Sequence, residues 1–279
     1  MPLSLPLARP HHLLVCASLW LAAQAVWAQA PHTVQLEELT WTELRDQVQA
    51  GKTTILIPIG GTEQSGPYVA LGKHNLRVKI LSQRIAEGLG NALVAPVIAY
   101  VPEGGTAPTS SHMRFPGTIT VSDEVFKKTL ESAANSFKVH GFKNIVFLGD
   151  HGGYQKDIQQ VVAQLNKSWG STAQALVPPV YYATSSDGYA QILRQHGIRE
   201  DEIGTHAGLA DTALLLAVAP QMVRQDAMRS GPKPGLADGV YGGDPHRATA
   251  ELGQLGIDAI VTKTIQALKT STAAHVSTQ

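Results

Sequence analysis

The run Thr53–Ile59, TTILIPI, constrains the fold more than any other part of the chain. It is β-branched and apolar without the alternation of a half-exposed strand. Such a strand is covered on both faces, as in parallel sheets whose crossover helices pack on either side. Directly after it comes GGTEQSGPYVALGKHN, residues 60–75, with a double glycine, an acid (Glu63), a Gly66-Pro67 turn and His74. A strand that runs into a Gly-rich polar loop is where open α/β sheets place their chemistry, because ligands bind beyond the carboxyl ends of the strands. The form recurs at Asn144–Leu148 (NIVFL), which runs into GDHGG and delivers Asp150 and His151. A third polar cluster, HAGLADT at residues 206–212, adds His206 and Asp211.

The remaining segments extend the same pattern. Residues 31–52 read as a lead-in with a short helix capped by Thr40, its face made by Leu44, Val48 and Ala50. Asn75 is the expected cap of a helix carrying Val78, Leu81, Ile85 and Leu89 at helical spacing. Ala92–Val101 reads as a second strand, followed by an irregular loop over residues 102–120 that contains SSHMRFPGT. Ser122, with Asp123 and Glu124 after it, opens another helix. Helices are expected over 154–168, 186–196, 206–218 and 246–269, and a fourth strand over Ala173–Tyr182, bent at Pro178-Pro179. Strands alternating with helices imply a single three-layer α/β/α domain over residues 31–279, with a mainly parallel sheet.

Composition removes several function classes. Lys plus Arg and Asp plus Glu number 22 each, with no basic block, so nothing points to nucleic acid or to an anionic membrane surface. Apolar residues are 43% and charged residues only 16%, which suits a well-buried globule. Residues 1–30 carry one charge, Arg9, then an apolar run over Leu13–Ala28 with small residues at Ala28 and Ala30. This is the layout of a secretory signal peptide, cleaved after Ala28 or Ala30. The alternative is an uncleaved anchor, but the run is interrupted by Gln24 and is short for a span. The mature protein is therefore expected to be periplasmic or secreted, with no membrane association after cleavage. Cys16, the only cysteine, lies in that segment, so the mature chain offers no thiolate ligand.

Glu63, His74, His151 and Asp211 supply two carboxylates and two imidazoles, each in or beside a Gly-rich loop. Singly, each has an ordinary structural use: a turn cap, a surface imidazole, an ion pair. Three such clusters in separate loops are harder to explain that way. Mixed N/O ligation suits zinc, manganese or iron better than calcium or magnesium. A catalytic metal site keeps one position open for water and lowers that water's pKa. His206 is then the nearest group able to pass a proton to a departing amine.

These segments resemble the creatininase (creatinine amidohydrolase) family over most of the chain. The family's G-S/T-x-E-Q-H-G-P-H-L-P-L-x-x-D pattern is matched by GGTEQSGPYVALGKHN, its N-G-H-G-G-N-like loop by GDHGGYQ, and its H-A-G-E-x-E-T-S by HAGLADTA. SSHMRFPGT and YGGDPHRAT resemble two further family segments. The resemblance implies a metal-dependent amidohydrolase acting on a cyclic amide or related C–N bond, often as a hexamer. It places metal ligands on Glu63 and His151, an acid on Asp211, and the proton-transferring His on His206. Asp150 would orient an imidazole. Ser65, Tyr68, His112 and Tyr154, in or beside these motifs, would line the substrate pocket.

The departures from the pattern are equally informative. The family's first-motif histidines are Ser65 and Tyr68 here, and its bridging Asp is His74. A carboxylate bridges two cations with two oxygens, and one imidazole nitrogen does not. One metal is therefore expected, zinc first and manganese second, held by Glu63, His74, His151 and Asp211, with creatinine a doubtful substrate. The competing readings are a catalytically silent small-ligand-binding relative and a phosphoryl or sulfuryl hydrolase. A serine hydrolase finds no G-x-S-x-G elbow.

Overall fold

A computed structural model describes residues 32–276. The signal segment read over 1–30, with Cys16 and both cleavage positions, lies outside the described residues. Four parallel strands form the sheet: β1 (Thr54–Ile59), β2 (Ala92–Val94), β3 (Asn144–Gly149) and β4 (Gln174–Leu176), in the order β2-β1-β3-β4. Thr54 pairs with both Ala92 and Asn144, and the β1–β3 pairing continues without a break to Ile59 opposite Gly149. The chain steps one way from β1 to β2 and the other way to β3. The carboxyl ends of β1 and β3 thus form the switch point of the sheet, where crossovers diverge and leave a crevice.

The helices are α1 (Trp41–Gln49), α2 (Lys73–Leu89), α3 (Asp123–Val139), α4 (Gln155–Trp169), α5 (Pro179–Ala183), α6 (Tyr189–Gln195), α7 (Glu200–Ile203), α8 (Leu209–Val218), α9 (Gln225–Ser230) and α10 (Ala250–Val276). Strand periodicity sorts the core into two halves. Ile55, Ile57, Ile59, Ile145 and Phe147 pack with Phe126 and Leu130 of α3 and Ile158, Val161 and Leu165 of α4. Leu56, Val146 and Leu148 face the other way, onto Val78, Leu81 and Ile85 of α2, with α8 and α10 behind. This is the three-layer α/β/α arrangement expected from the apolar strands.

Several boundaries differ from expectation, for identifiable reasons. The Thr40 cap of α1 is a full capping box with Glu43. Pro96 has no N–H to continue a ladder, so β2 stops at Val94, and one isolated bridge, Ile59 to Ile98, carries the chain onward. The expected fourth strand is only Gln174–Leu176, and Pro179 begins α5, where a missing N–H costs nothing. A π-helical turn at Thr184–Gly188 joins α5 to α6. Asn75 does not cap α2. The helix starts earlier, at Lys73 after Gly72, and the Asn75 carboxamide accepts from Gly61 N (2.9 Å) and donates to Thr62 Oγ1 (3.0 Å). Asn75 therefore holds the loop after β1 against α2.

Candidate metal centre

The double glycine after β1 is required by its neighbours. A Cβ on Gly60 would lie 2.1 Å from Asn75 Oδ1, and one on Gly61, at φ +149°, would lie 2.5 Å from Glu103 Oε1. With no side chains there, the loop drops Glu63 into the crevice, where it is fully buried. Three cations of α2 approach it from one side. Lys73 Nζ is 3.4 Å from Glu63 Oε1 and forms a close ion pair with Asp211. His74 donates Nε2–H to Glu63 Oε1 (2.8 Å) and Nδ1–H to Asp150 Oδ2 (2.7 Å). Arg77 donates from Nε to Asp150 Oδ2 (2.9 Å) and from Nη1 to Asp211 Oδ1 (2.7 Å). Tyr181 OH completes the environment of Asp150 with a bond to Oδ1 (3.0 Å).

The ionisation of this side follows from its pairing. Burial works against the charges of Asp211, Glu63 and Asp150, but Lys73, Arg77 and His74 outweigh it and hold all three acids below the usual carboxylate range. Burial and the Lys73 charge both oppose a charged His74, yet its bonds to Asp150 and Glu63 raise its pKa. With a carboxylate on each ring nitrogen, His74 is an imidazolium here.

The other side of Glu63 differs. Glu103, His112 and His151 join Glu63 in a cluster whose ligand-capable atoms all lie within 4.8 Å of one another. His112 Nε2 is 3.2 Å, and His151 Nε2 3.6 Å, from Glu63 Oε2. Glu63 Oε2 and both oxygens of Glu103 are buried without a hydrogen-bond partner. Burial and the neighbouring Glu63 charge push the Glu103 carboxyl up to about 9. Burial lowers His112 and takes His151 down to about 4, so both are neutral imidazoles at pH 7. Buried acid oxygens without hydrogen-bond partners beside neutral imidazoles are costly in a closed protein, and they match the donor set of a divalent metal site.

The structure brings Glu63 and His151 of the expected ligands into this cluster. His74 and Asp211 lie beside it, engaged with Asp150 and Glu63 and with Lys73 and Arg77 respectively. His112, expected to line the pocket, stands in the cluster itself, and Gln64 Nε2 sits 3.0 Å from its Nδ1. His206 borders the site: Nε2–H donates to the Gln64 carbonyl (3.0 Å) and Nδ1 faces Glu63 Oε1 at 3.6 Å. Burial, then the Lys73 charge, bring its pKa to about 3. Asp150 orients His74. Tyr154 is fully buried below the loop, where its OH donates to the Ile59 and Gly60 carbonyls and accepts from His151 N (3.0 Å). Tyr68 OH donates to the Pro232 carbonyl (2.7 Å), and Ser65 Oγ is buried without a partner.

Two non-glycine residues among those described have a left-handed backbone, Ser111 (φ 50°) and Ala207 (φ 55°). Each adjoins a site histidine, His112 or His206. Strain of this kind persists where the surroundings fix a side chain's aim. His206 is further held by a two-way backbone bridge, Tyr241 N to the His206 carbonyl (2.9 Å) and Thr205 N to the Tyr241 carbonyl (3.0 Å).

Sequence reasoning misses Glu103, Lys73 and Arg77. Glu103 has a signal, since VPEGG repeats the form of an apolar run, an acid and a double glycine. Lys73 and His74 have one too: cations in a first helical turn oppose the helix dipole, and the first turn of α2 holds no acid. His112 and His151 of the cluster, with His74 and His206, line a cavity of about 720 Å³ that is bounded also by Tyr182, Tyr241 and the π-helical turn.

Comparison with known proteins bears on most of the chain. It is 25% identical over 206 residues to the creatinine amidohydrolase of Pseudomonas putida (72% of this chain, 77% of the relative). It is 27% identical over 218 residues to the mycofactocin precursor peptide peptidase of Mycolicibacterium smegmatis (76% and 83%). It is 24% identical over 233 residues to the 3-dehydro-scyllo-inosose hydrolase of Thermotoga maritima (82% and 71%). A crystal structure of creatininase superposes with a TM-score of 0.71 at 22% identity, covering 86% of this chain and 98% of that one. A manganese creatininase and a mutant of Zn-Zn type superpose at 0.69 and 0.67. Residues 37–268 match the family model described as creatinine amidohydrolase, and on that extent the chain belongs to the creatininase family.

Proposed function

We propose that this protein is a metal-dependent hydrolase that cleaves a C–N bond, of amide type, in a small molecule. The observation that carries the reading is the largely buried group Glu63, Glu103, His112 and His151, with three acid oxygens that lack a hydrogen-bond partner, whose two histidines line a cavity. These four residues would hold one divalent cation, zinc or manganese. When bound, the cation supplies Lewis acidity toward a carbonyl oxygen and lowers the pKa of water.

The protein's own groups do the rest. His206 enters neutral, its Nε2–H fixed on the Gln64 carbonyl, so Nδ1 is the nitrogen that accepts a proton and returns it to the departing amine. Gln64 sets the orientation of both His112 and His206. The cavity is far larger than a single five-membered ring requires and falls in the range of sites for drug-sized ligands. This supports a substrate larger than creatinine. Two of the relatives named above are hydrolases of C–N bonds, which supports the bond type.

The test is hydrolysis by metal-loaded protein of a panel of cyclic amides, substituted lactams and short peptides, with chelator-treated protein and His206→Ala as controls. Turnover that is lost on chelation, restored by zinc or manganese and reduced in His206→Ala is the expected result. Binding of panel members without turnover under any metal would instead favour a silent ligand-binding relative. Export is part of the proposal, on the N-terminal sequence pattern alone. The amino terminus of protein recovered from its native host is expected at Gln29 or Pro31, and an intact Met1 would contradict it.

A further inference from the structure

In the reading above, His206 meets the departing nitrogen of the substrate. Whatever stands beside His206 in the cavity then meets the substituent which that nitrogen carries. Two rings lie against it among the described residues. The His112 centroid is 4.5 Å away and the Tyr241 centroid 5.0 Å, with Tyr241 tilted by 34° to His206 and by 39° to His112. His112 belongs to the cluster of acids and imidazoles, so Tyr241 is the neighbour of His206 that has no part in the chemistry so far. It is partly exposed and lines the cavity. Tyr182, which also lines the cavity, stands elsewhere: a Cβ on Gly152, the residue after His151, would lie 2.4 Å from its hydroxyl.

The place of Tyr241 is fixed by backbone. Besides its two-way bridge to Thr205 and His206, the glycines that follow it lie flush on the segment that leads into α8. A Cβ on Gly204 would come within 2.2 Å, and one on Gly208 within 2.7 Å, of the Gly242 carbonyl oxygen. A Cβ on Gly243 would come within 2.8 Å of the Glu202 carbonyl oxygen. Contact this close sets the backbone of Tyr241 relative to His206, and a tyrosine has only two side-chain torsions to order on binding.

From this geometry we infer that Tyr241 sets the specificity of the amine side of the substrate, its ring forming a wall for a planar, aromatic substituent on the departing nitrogen. The inference rests on the hydrolase reading above, which gives the substrate its direction, carbonyl toward the cluster and nitrogen toward His206 Nδ1. An aromatic group on that nitrogen extends the tilted series of His112, His206 and Tyr241 through the offset or edge contacts that aromatic pairs prefer. A saturated ring of equal size fills the same space without that contact. The preference is that of one aromatic pair, about 2–10-fold in affinity.

The experiment is calorimetric titration of zinc-loaded protein with benzylamine and with cyclohexylmethylamine. The two amines carry the same charge near neutral pH and have nearly the same bulk, and they differ in a flat or a puckered ring. They stand for the amine product, so the comparison needs no turnover. It is run on the wild type, Tyr241→Phe and Tyr241→Leu, with zinc content and circular dichroism checked for each. Benzylamine is expected to bind the wild type and Tyr241→Phe several-fold more tightly than cyclohexylmethylamine. The ratio is expected to fall to about one in Tyr241→Leu with zinc content unchanged. Equal affinities in the wild type would overturn the inference, as would a ratio that survives in Tyr241→Leu, or failure of both amines to bind. A ratio already lost in Tyr241→Phe would also overturn it, because the hydroxyl and not the ring would then be its source. If Tyr241→Leu does not fold, Tyr241→Met takes its place. The hydrolase reading fails separately, by absence of turnover on the amide panel. A Tyr241-dependent preference for benzylamine without turnover would leave an aromatic-amine site and remove the hydrolysis.

Discussion

On one flank of Glu63, Lys73, His74 and Arg77 interlock with Asp150 and Asp211, and every carboxylate oxygen there has a partner. On the other flank, Glu103, His112 and His151 sit equally close together, yet three carboxylate oxygens have none. Both flanks are largely buried, and both combine acids with histidines. What separates them is where the compensating charge comes from. On the α2 flank the acids are paired with the protein's own cations. The Glu103 flank has no Lys or Arg ion pair of its own, and it is the flank proposed above to receive the metal. Residue type and burial alone would not separate them, and hydrogen-bond satisfaction does.

The comparison breaks most visibly at Arg77. Arg77→Met leaves Asp150 and Asp211 without their shared guanidinium, and removing one partner of a buried ion pair costs about 3–5 kcal/mol. Urea unfolding of the metal-free protein should show a loss of that size. A loss below about 1 kcal/mol, the level of an exposed pair, would mean the acids of the α2 flank do not depend on their cations as described. The mirror change is Glu103→Gln. It should leave metal-free stability unchanged or improved, because it removes an unpaired buried carboxyl. Metal affinity should fall by more than the roughly 10–100-fold typical of groups that only orient a ligand.

The pH dependence of metal-free stability sharpens the same contrast. Glu103 is raised from 4.5 to about 9, so the native state holds its proton where the unfolded chain has lost it. That contribution is complete below pH 4.5 and is lost as pH rises toward 9. His74, also raised, loses its contribution as pH climbs above 6.5. His151 and His206 are lowered to about 4 and about 3, so they act the other way, but only below their ordinary 6.5. Thermal unfolding of the metal-free protein should therefore show a falling midpoint from about pH 6.5 to 9, and Glu103→Gln should make that decline shallower. Glu63, Asp150 and Asp211, all lowered, destabilise only on acidification below their unfolded values. The smallest expected effect is remote. Thr40→Ala removes the capping box of α1 at a cost of about 1 kcal/mol and should leave metal affinity untouched.

Much of the fold is legible in the amino-acid sequence. The apolar runs at β1 and β3 announce a parallel sheet covered on both faces, and the loops after them hold Glu63, Asp150 and His151. Strand ends that carry polar Gly-rich loops are a local signal, readable from a few residues. The division of labour within the site is not legible there, because it depends on contacts between residues far apart in the chain. Asp211 reads as a ligand in the sequence, and in the fold Lys73 and Arg77 lie on it. His74 reads as one too, and in the fold each of its ring nitrogens faces a carboxylate. Glu103 follows a stretch that reads as strand but leaves the sheet at Pro96, and only the folded loop shows its oxygens meeting those of Glu63. Tyr154 sits next to a motif, but its direction, downward into the core, is set by the β1–β3 pairing.

The most direct measurement is anomalous diffraction from crystals of the wild-type protein grown with manganese. One peak among Glu63 Oε2, Glu103, His112 and His151, with Lys73 still against Asp211, is the expected result. A peak on the α2 side, coordinated by His74 or Asp211, would contradict the division between a paired flank and a receiving one.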